Sequence, residues 1–314
     1  AVQITASHNP GEDNGFKMMV GSTTLSGELI QNIKNIIVSG EFLPEASSPG
    51  VVISVPGAEA YLQELVSRSK SHMGTRKVKV VVDGGNGVGG PVGPELLRRL
   101  GCEVVEIYTD QDGSFPNHHP DPTVLENLED LRKKVLEVGA DLGIAWDGDA
   151  DRIGVVDEKA NPIFGDMLVL IYGRQLLQDK ANPIVIGDVK CSDLLFSDLN
   201  QRGAQAVIAK TGHSLIKAKM KELDADLAGE MSGHIFFKHR YWGFDDALHA
   251  SARLVEIVSN QTLPVSQLLA DLPPVINTPE IRLDCPESIK FEVAKQAQAA
   301  FPEYETLTID GVRV

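Results

Sequence analysis

Short apolar runs alternate with helical stretches along most of this chain, and the alternation limits the folds it can adopt. The runs VKVVV, CEVVEIY and ADLGIAW are typical of strands, and the stretches between them, PELLRRLG and LENLEDLRKKVLEVG, are typical of helices. The same order returns after residue 162 with PIVIGDV, AQAVIAK and DLAG. Strands and helices that alternate at this length form mainly parallel sheets covered by helices. We therefore predict an α/β fold of several mixed, mainly parallel βαβ-type domains.

The two ends of the chain follow a different pattern. Residues 2–6 predict a short strand that leads into a loop at Ser7. The stretch SGELIQNIKNIIVSG predicts a helix with Ser26 as its N-cap and Gly40 as its end, and EFLPEASSPG is typical of a linker. After residue 274 the composition changes, with a short helix followed by LTIDGVRV, which predicts a strand. We predict four units, at residues 1–55, 56–161, 162–273 and 274–314.

Composition and charge exclude several functional classes. The net charge of -15 argues against nonspecific binding to nucleic acid or to anionic membranes. No apolar run approaches the roughly 20 residues that span a bilayer. The three cysteines are odd in number and widely spaced, which suggests neither a disulfide framework nor a zinc site. These features favour a cytoplasmic protein, and nothing in them indicates an obligate protein partner.

Polar residues follow the predicted strands at five places. In open parallel sheets, ligands bind beyond the carboxyl ends of the strands, so such residues are candidates for a site. Strand ends are commonly polar, but five chemically distinct groups favour a function. They are Ser7, the stretch DGDADR, Lys190, the residues from Lys210 to His213, and the set Glu230, Ser232 and His234.

The stretch DGDADR indicates a metal site. Asp147, Asp149 and Asp151 alternate, so an extended backbone turns the three carboxylates to one side. Converging carboxylates repel one another unless a hard cation lies between them, and oxygen ligands favour Mg²⁺ or Ca²⁺. An EF-hand does not fit, because its loop needs glycine where Arg152 stands and follows a helix rather than a strand.

A second motif resembles a dinucleotide-binding fingerprint, which would make the chain an oxidoreductase. Residues 85–90, GNGVGG, satisfy G-x-G-x-x-G between a strand and a helix. Asp83 at the strand end would face the pyrophosphate unfavourably, and two prolines crowd the helix start. We therefore predict a structural glycine-rich turn, and we predict structural roles for His118 and His119 as well.

The motifs TASHNP, DGDADR and GEMSGH, in this order, resemble those of the α-D-phosphohexomutase superfamily. The resemblance is strongest to its phosphomannomutase/phosphoglucomutase branch, since phosphoglucosamine mutases usually carry Gln where this chain has Met231. It implies domains around a central cleft and an isomerase that interconverts hexose 1-phosphates and hexose 6-phosphates. The implied reaction uses a phosphoserine, Mg²⁺ and a hexose 1,6-bisphosphate such as glucose 1,6-bisphosphate. A phosphoglucosamine mutase remains the alternative.

The resemblance also implies roles for individual residues. Ser7 would carry the phosphoryl group and would bind Mg²⁺ together with Asp147, Asp149 and Asp151. Glu230 and Ser232 would hold the hydroxyls of a mannose or glucose phosphate. Either His213 or His234 would handle the proton of the sugar hydroxyl, and the sequence leaves both open. The other residues that stand at active-site positions of the family are His8, Lys17, Arg152 and Lys190.

The family pattern extends beyond this chain at both ends. The family has several dozen residues before the serine loop and a phosphate-binding loop of the RASNT type in its fourth domain, and neither is found here. We therefore expect a fragment whose C-terminal unit is a partial α+β domain. A noncatalytic sugar-phosphate-binding fragment is a further alternative on this ground.

Overall fold

The computed structural model describes residues 1–21, 23–273, 284–286 and 288–314. Residues 1–40, the N-terminal unit, hold an antiparallel sheet of β1 (Val2–Ile4), β2 (Phe16–Val20) and β3 (Thr23–Thr24), followed by α1 (Glu28–Ser39). Gly40 ends α1 as predicted, in a left-handed conformation. The prediction for Ser26 is wrong, because Gly27 takes a positive φ and occupies the N-cap position itself. Residues 41–57 contain no helix or strand.

The second sheet has the strand order β5-β4-β6-β7-β8. Its strands β4 (Lys79–Asp83), β5 (Glu103–Ile107) and β6 (Leu142–Trp146) are parallel, while β7 (Ile153–Asp157) and β8 (Pro162–Ile163) are antiparallel additions. The helices of this part are α2 (Ala58–Ser69), α3 (Gly93–Leu100) and α4 (Glu129–Val138).

The apolar sequence of β4 follows from burial on both faces of the sheet. Val80 and Val82 pack in the same cluster as Leu96 of α3, whereas Val81 packs in the same cluster as Leu131 of α4. All three valines are fully buried. A strand covered on both faces has no reason to alternate apolar and polar residues, and VKVVV does not.

The third sheet repeats this design, with the strand order β10-β9-β11-β12. The strands β9 (Ile184–Asp188), β10 (Gln205–Ala209) and β11 (Leu227–Gly229) are parallel, and β12 (Ile235–Phe237) is antiparallel. Its helices are α5 (Gly165–Asp179), α6 (Asp193–Gln201), α7 (His213–Leu223) and α8 (Ala247–Ser259). The predicted α/β fold of mixed, mainly parallel sheets is confirmed.

Helix α8 joins the second and third sheets. All of its 13 residues are buried. It packs against α2, α3 and β7 of the second sheet's part and against α5 and β12 of the third. The indole N–H of Trp146 in β6 donates to Ser251 Oγ of α8 at 2.9 Å. One hydrophobic cluster therefore runs through both sheets, and we call residues 58–273 the two-sheet body.

The C-terminal residues that the structure describes hold α9 (Lys290–Ala300), which agrees with the predicted short helix. The strand predicted for LTIDGVRV is wrong: Leu307 and Arg313 form an isolated bridge, because the chain turns back at Gly311. The boundary predicted at residue 274 lies outside the described residues, and the division into four units stays a prediction. Among the described residues, every helix is too short or too polar to cross a bilayer.

Candidate active site

Ser7 lies in a tight loop that directs its hydroxyl toward the two-sheet body. The residue has a φ of 56°, a left-handed conformation that is unfavourable for any residue except glycine. Its backbone N–H donates to Thr5 Oγ1 at 2.9 Å. Its hydroxyl donates to Asp147 Oδ2 at 2.9 Å and lies 3.0 Å from His8 Nδ1. The loop thus holds Ser7 against the first aspartate of DGDADR.

The aspartate loop, residues 147–152, connects β6 to β7. Asp147 is fully buried, and its Oδ1 accepts the N–H groups of Asp151 and Arg152, each at 3.0 Å. Gly148 allows the approach of the serine loop, since a Cβ at this position would lie 2.1 Å from the carbonyl oxygen of Ser7. Thr5 Oγ1 also donates to Asp149 Oδ2 at 2.8 Å. These contacts join two loops whose residues lie 140 and 144 positions apart in sequence.

The carboxylates of the aspartate loop fit a hard divalent cation. One oxygen from each of Asp147, Asp149 and Asp151 lies within 4.8 Å of the others. Asp149 Oδ1 is buried and accepts no hydrogen bond from any residue the structure describes. Burial, together with repulsion from Asp151 and Asp149, raises the pKa of Asp147 to about 6. Converging oxygen ligands with excess negative charge are what Mg²⁺ requires.

Lys17 supplies positive charge to the same carboxylates. It lies on β2, a strand that the sequence did not predict, rather than in the serine loop itself. Its ammonium is 2.9 Å from Asp149 Oδ2 and 2.5 Å from Asp151 Oδ2. Burial opposes its charge, but the attraction of Asp151 and Asp149 prevails and raises the pKa of Lys17 above its usual range. Lys17 is therefore a fixed cation at the aspartate loop.

A third loop, residues 230–234, lies between β11 and β12 and reaches the aspartate loop through His234. Its Nε2 is 3.2 Å from Asp151 Oδ1, and its Nδ1 is 2.7 Å from Glu230 Oε2. Ser232 Oγ lies 3.0 Å from His234 Nδ1, and Arg152 Nε lies 3.3 Å from His234 Nε2. Burial opposes the charge of His234, but the two carboxylates raise its pKa to about 10. The two carboxylates thus favour the protonated form of His234.

His213 is the first residue of α7 and lies beside His234. The two rings stack with centroids 6.0 Å apart, and His213 Nδ1 is 3.5 Å from Asp245 Oδ2. Burial lowers the pKa of His213, despite the attraction of Asp245, with further contributions from Lys217 and His234. The two histidines that the sequence left equivalent therefore have pKa values shifted in opposite directions.

Lys190 follows β9 at the same edge of the third sheet. Its backbone N–H donates to Asp188 Oδ1 at 3.2 Å, and Lys190 is exposed. The remaining predicted residues, Glu230, Ser232 and Arg152, lie together around His234. Four of the five strand-end groups follow strands of the second and third sheets, as the rule for parallel sheets predicts, whereas Ser7 follows β1 of the antiparallel sheet.

Sequence reasoning missed four residues of the site. Thr5 lies in the TASHNP motif beside Ser7 but was given no role, and Asp245 lies in no motif, so no sequence signal marked it. Asp188 ends β9 and is fully buried, so the strand-end rule could have identified it. Asp121, in the loop after the two adjacent histidines, lies 3.8 Å from His8 Nε2 and could not be paired with it from the sequence.

The glycine-rich turn, residues 84–90, packs against the aspartate loop. The N–H of Val88 donates to the carbonyl oxygen of Gly148 at 3.0 Å. Asp83 is buried and lies 3.0 Å from His118 Nε2. These contacts fit the structural roles that the sequence predicted for the turn and for His118, and both roles stay predictions.

Comparisons with known proteins agree with these features. Three models of the phosphoglucomutase/phosphomannomutase family, its alpha/beta/alpha domains I, II and III, match residues 1–44, 59–161 and 164–276. A phosphomannomutase/phosphoglucomutase of Pseudomonas putida is 44% identical over all of this chain, which covers 67% of that protein.

A crystal structure of a phosphoglucomutase/phosphomannomutase family protein from Burkholderia thailandensis superposes with a TM-score of 0.90 and 41% identity. It matches 100% of this chain and 66% of its own length. A probable phosphoglucosamine mutase of Methanosarcina barkeri is more distant, at 35% identity over 100% of this chain and 70% of that protein. The chain thus spans about two thirds of the length of the relatives it matches.

Proposed function

This chain belongs to the phosphoglucomutase/phosphomannomutase family of the α-D-phosphohexomutase superfamily, and from that premise we propose that Ser7 carries the phosphoryl group of a hexose-phosphate mutase. The predictions of superfamily and branch are confirmed, and the isomerase class is that of the family. The observation that carries the proposal is the hydrogen bond from Ser7 Oγ to Asp147 within the group of three carboxylates.

The proposed reaction moves one phosphoryl group in each direction. A hydroxyl oxygen of the hexose phosphate attacks phosphorus on Ser7, the bond from phosphorus to Ser7 Oγ breaks, and the hydroxyl proton passes to a base. The product is a hexose 1,6-bisphosphate. Ser7 then takes the other phosphoryl group from this intermediate, which leaves the isomeric hexose monophosphate. Such a reaction depends mainly on positioning and on charge stabilisation.

The aspartate loop supplies the electrostatic part. A bound Mg²⁺ would polarise phosphoryl oxygens as a Lewis acid, held by Asp147, Asp149, Asp151 and the oxygen of Ser7. Lys17 and Arg152 add the protein's own positive charge at the same place. The planar guanidinium of Arg152 can bind a phosphate through two parallel hydrogen bonds.

The charges of the two histidines support a division of labour between them. His213 has a lowered pKa, so its neutral ring can accept the proton of the attacking hydroxyl. His234 lies between the carboxylates of Asp151 and Glu230 and acts as a cation. We assign the proton transfer to His213 and the stabilisation of phosphate charge to His234.

The loop at residues 230–234 is the proposed binding site for the sugar. Glu230 is buried, and its Oε1 accepts the N–H of Gly212 at 2.5 Å, which fixes the carboxylate. Glu230 and Ser232 together offer acceptors and a donor to the ring hydroxyls. Residues 189–191, which we call the Lys190 loop, add a cation for the distal phosphate. The substrates are mannose and glucose phosphates, with glucose 1,6-bisphosphate as the activator.

The carrier role is tested by intact-mass measurement after incubation with glucose 1,6-bisphosphate and Mg²⁺. The native chain should gain one phosphate, and Ser7→Ala should gain none. Ser26, an exposed serine of the same unit, gives a matched control, since Ser26→Ala should be phosphorylated like the native chain. Phosphorylation of Ser7→Ala would overturn the assignment.

Substrate choice needs a separate measurement. Turnover of glucose 1-phosphate, mannose 1-phosphate and glucosamine 1-phosphate should be compared side by side with bisphosphate and Mg²⁺ present. Preference for the two neutral sugars supports the proposed branch, and preference for the amino sugar supports a phosphoglucosamine mutase. Binding without turnover supports the noncatalytic alternative. A cytoplasmic location stays a prediction, supported by the free thiols of Cys102, Cys191 and Cys285.

A further inference from the structure

Residues 307–313, which we call the clasp, lie across two loops of the third sheet. Leu307 and Arg313 close the clasp with two backbone hydrogen bonds of 2.8 and 2.9 Å. The guanidinium of Arg313 donates from one nitrogen to the carbonyl oxygens of Val189 and Cys191, both at 2.9 Å. These two carbonyls flank Lys190. Arg313 thus spans the backbone of the loop that follows β9.

The other anchor of the clasp is Asp310. Its Oδ2 accepts the backbone N–H of Thr211 at 3.1 Å. Thr211 follows β10 and precedes Gly212, whose own N–H donates to Glu230 Oε1. The clasp therefore holds two loops. One is the Lys190 loop, and the other is residues 210–212, which we call the Thr211 loop and which lead into α7 at His213.

Asp188 ties the same loops together from the interior. Its buried carboxylate accepts the N–H of Lys190 at 3.2 Å and the hydroxyl of Thr211 at 3.2 Å. The N–H of Met231, in the proposed sugar-binding loop, is 3.5 Å away. The Lys190 loop and the Thr211 loop are thus each held by two groups, the buried carboxylate of Asp188 and the clasp.

The contacts of the clasp are separate from those that stabilise the fold. Arg313 also lies 2.5 Å from Asp193, but that carboxylate is 85% exposed, and exposed ion pairs contribute little to stability. The backbone carbonyls and the N–H that Arg313 and Asp310 contact belong to loops beyond the strand ends. Loss of the clasp should therefore loosen the loops and leave the sheet folded.

We propose that Asp310 and Arg313 are positioning residues for phosphosugar recognition, holding the Lys190 loop and the Thr211 loop in register with Glu230 and His213. The inference rests on the proposed function of these loops. It adds Asp310 and Arg313 to the site. They lie 99 and 124 positions after Thr211 and Val189, and they contact only the backbone of these two loops.

The test measures loop order and affinity separately. Amide hydrogen exchange reports on residues 189–191 and 211, and calorimetric titration with glucose 1-phosphate reports on affinity. Arg313→Ala should speed exchange in the first loop and weaken affinity roughly tenfold, as expected for the loss of charged hydrogen bonds. Asp310→Ala should speed exchange at Thr211 with a smaller loss of affinity, and Asp310→Asn, which keeps an acceptor oxygen, should restore both.

A matched control is Arg202→Ala. Arg202 pairs with Asp198 and Asp271 near the opposite end of α6, away from both loops. Its loss should leave the affinity for glucose 1-phosphate unchanged. Thermal unfolding of all variants should follow the native chain, which separates loosened loops from a destabilised sheet.

The proposal is overturned if Arg313→Ala and Asp310→Ala bind glucose 1-phosphate with native affinity, or if Arg202→Ala weakens binding equally. Failure of the native chain to accept phosphate on Ser7 would instead overturn the carrier role, so the two proposals fail in different measurements.

Discussion

Helices α1 and α8 have nearly the same length, 12 and 13 residues, and opposite surroundings. No residue of α1 is buried, whereas every residue of α8 is. Thus the N-terminal unit and the two-sheet body are held in different ways. The body shares one hydrophobic cluster, while Thr5, Ser7 and Lys17 reach the aspartate loop through hydrogen bonds and ion pairs.

This difference separates two parts of the proposed reaction. The proposed carrier serine lies on a unit that is joined to the aspartate loop by polar contacts. The proposed sugar-binding loops lie at strand ends of the apolar body. Because ion pairs and hydrogen bonds are sensitive to geometry while core packing is cooperative, mutations in the two regions should affect different measurements.

The largest effect on stability should come from the shared core. Leu254 of α8 is fully buried, and Leu254→Ala should lower the free energy of unfolding by about 2–5 kcal/mol. Ile37 of α1 is 61% exposed, and Ile37→Ala should change it by less than about 0.5 kcal/mol. Urea unfolding followed by fluorescence measures this, since both tryptophans lie in the two-sheet body. Equal effects of the two substitutions would contradict the contrast.

The contact between the two regions should fail with the addition of one methyl group. In Gly148→Ala the new Cβ would collide with the carbonyl oxygen of Ser7, so phosphorylation of Ser7 should slow about 100-fold. Unfolding of the body should change far less. Gly113→Ala is the control, because a Cβ there meets no atom within 4 Å. A native rate in Gly148→Ala would show that the close approach is unnecessary.

Loss of the Lys17 charge should have a smaller effect. Lys17→Met removes the cation that contacts Asp149 and Asp151, and we expect phosphorylation of Ser7 to slow roughly tenfold. The exposed Lys34 of α1 provides the control, and Lys34→Met should keep the native rate. Intact-mass measurements at successive times after the addition of glucose 1,6-bisphosphate compare the two variants. Identical rates would remove Lys17 from the proposed site.

The smallest effect concerns the support beneath the aspartate loop. Burial opposes the charge of His118, but its hydrogen bond and attraction to Asp83 raise its pKa above the ordinary value of 6.5. This pair therefore stabilises the fold fully below pH 6.5, and its contribution is lost as the pH rises through the higher folded-state pKa. Native chain and His118→Gln should differ more in free energy of unfolding at low pH than at high pH. A difference independent of pH would show that His118 is neutral in the fold.

Much of the fold could be predicted because local sequence carries it. Runs such as VKVVV and ADLGIAW marked the parallel strands, since burial on both faces demands continuous apolar residues. Strand β2 was missed because FKMMV lacks alternation, and its polar Lys17 takes its place only through contact with Asp149 and Asp151. LTIDGVRV was predicted as a strand from composition, but the turn at Gly311 leaves only one bridge.

The sequence by itself determined the α/β class, the aspartate loop and the serine that faces it, because motifs and periodicity are local properties. The tertiary structure decided how these parts combine. It brought Ser7 to Asp147 and placed Arg313 across the Lys190 loop. It also shifted the pKa values of His234 and His213 in opposite directions, through Asp151 and Glu230 for the first and through burial for the second. Distances between residues that are far apart in sequence, and the pKa values that depend on them, arise only when the chain is folded.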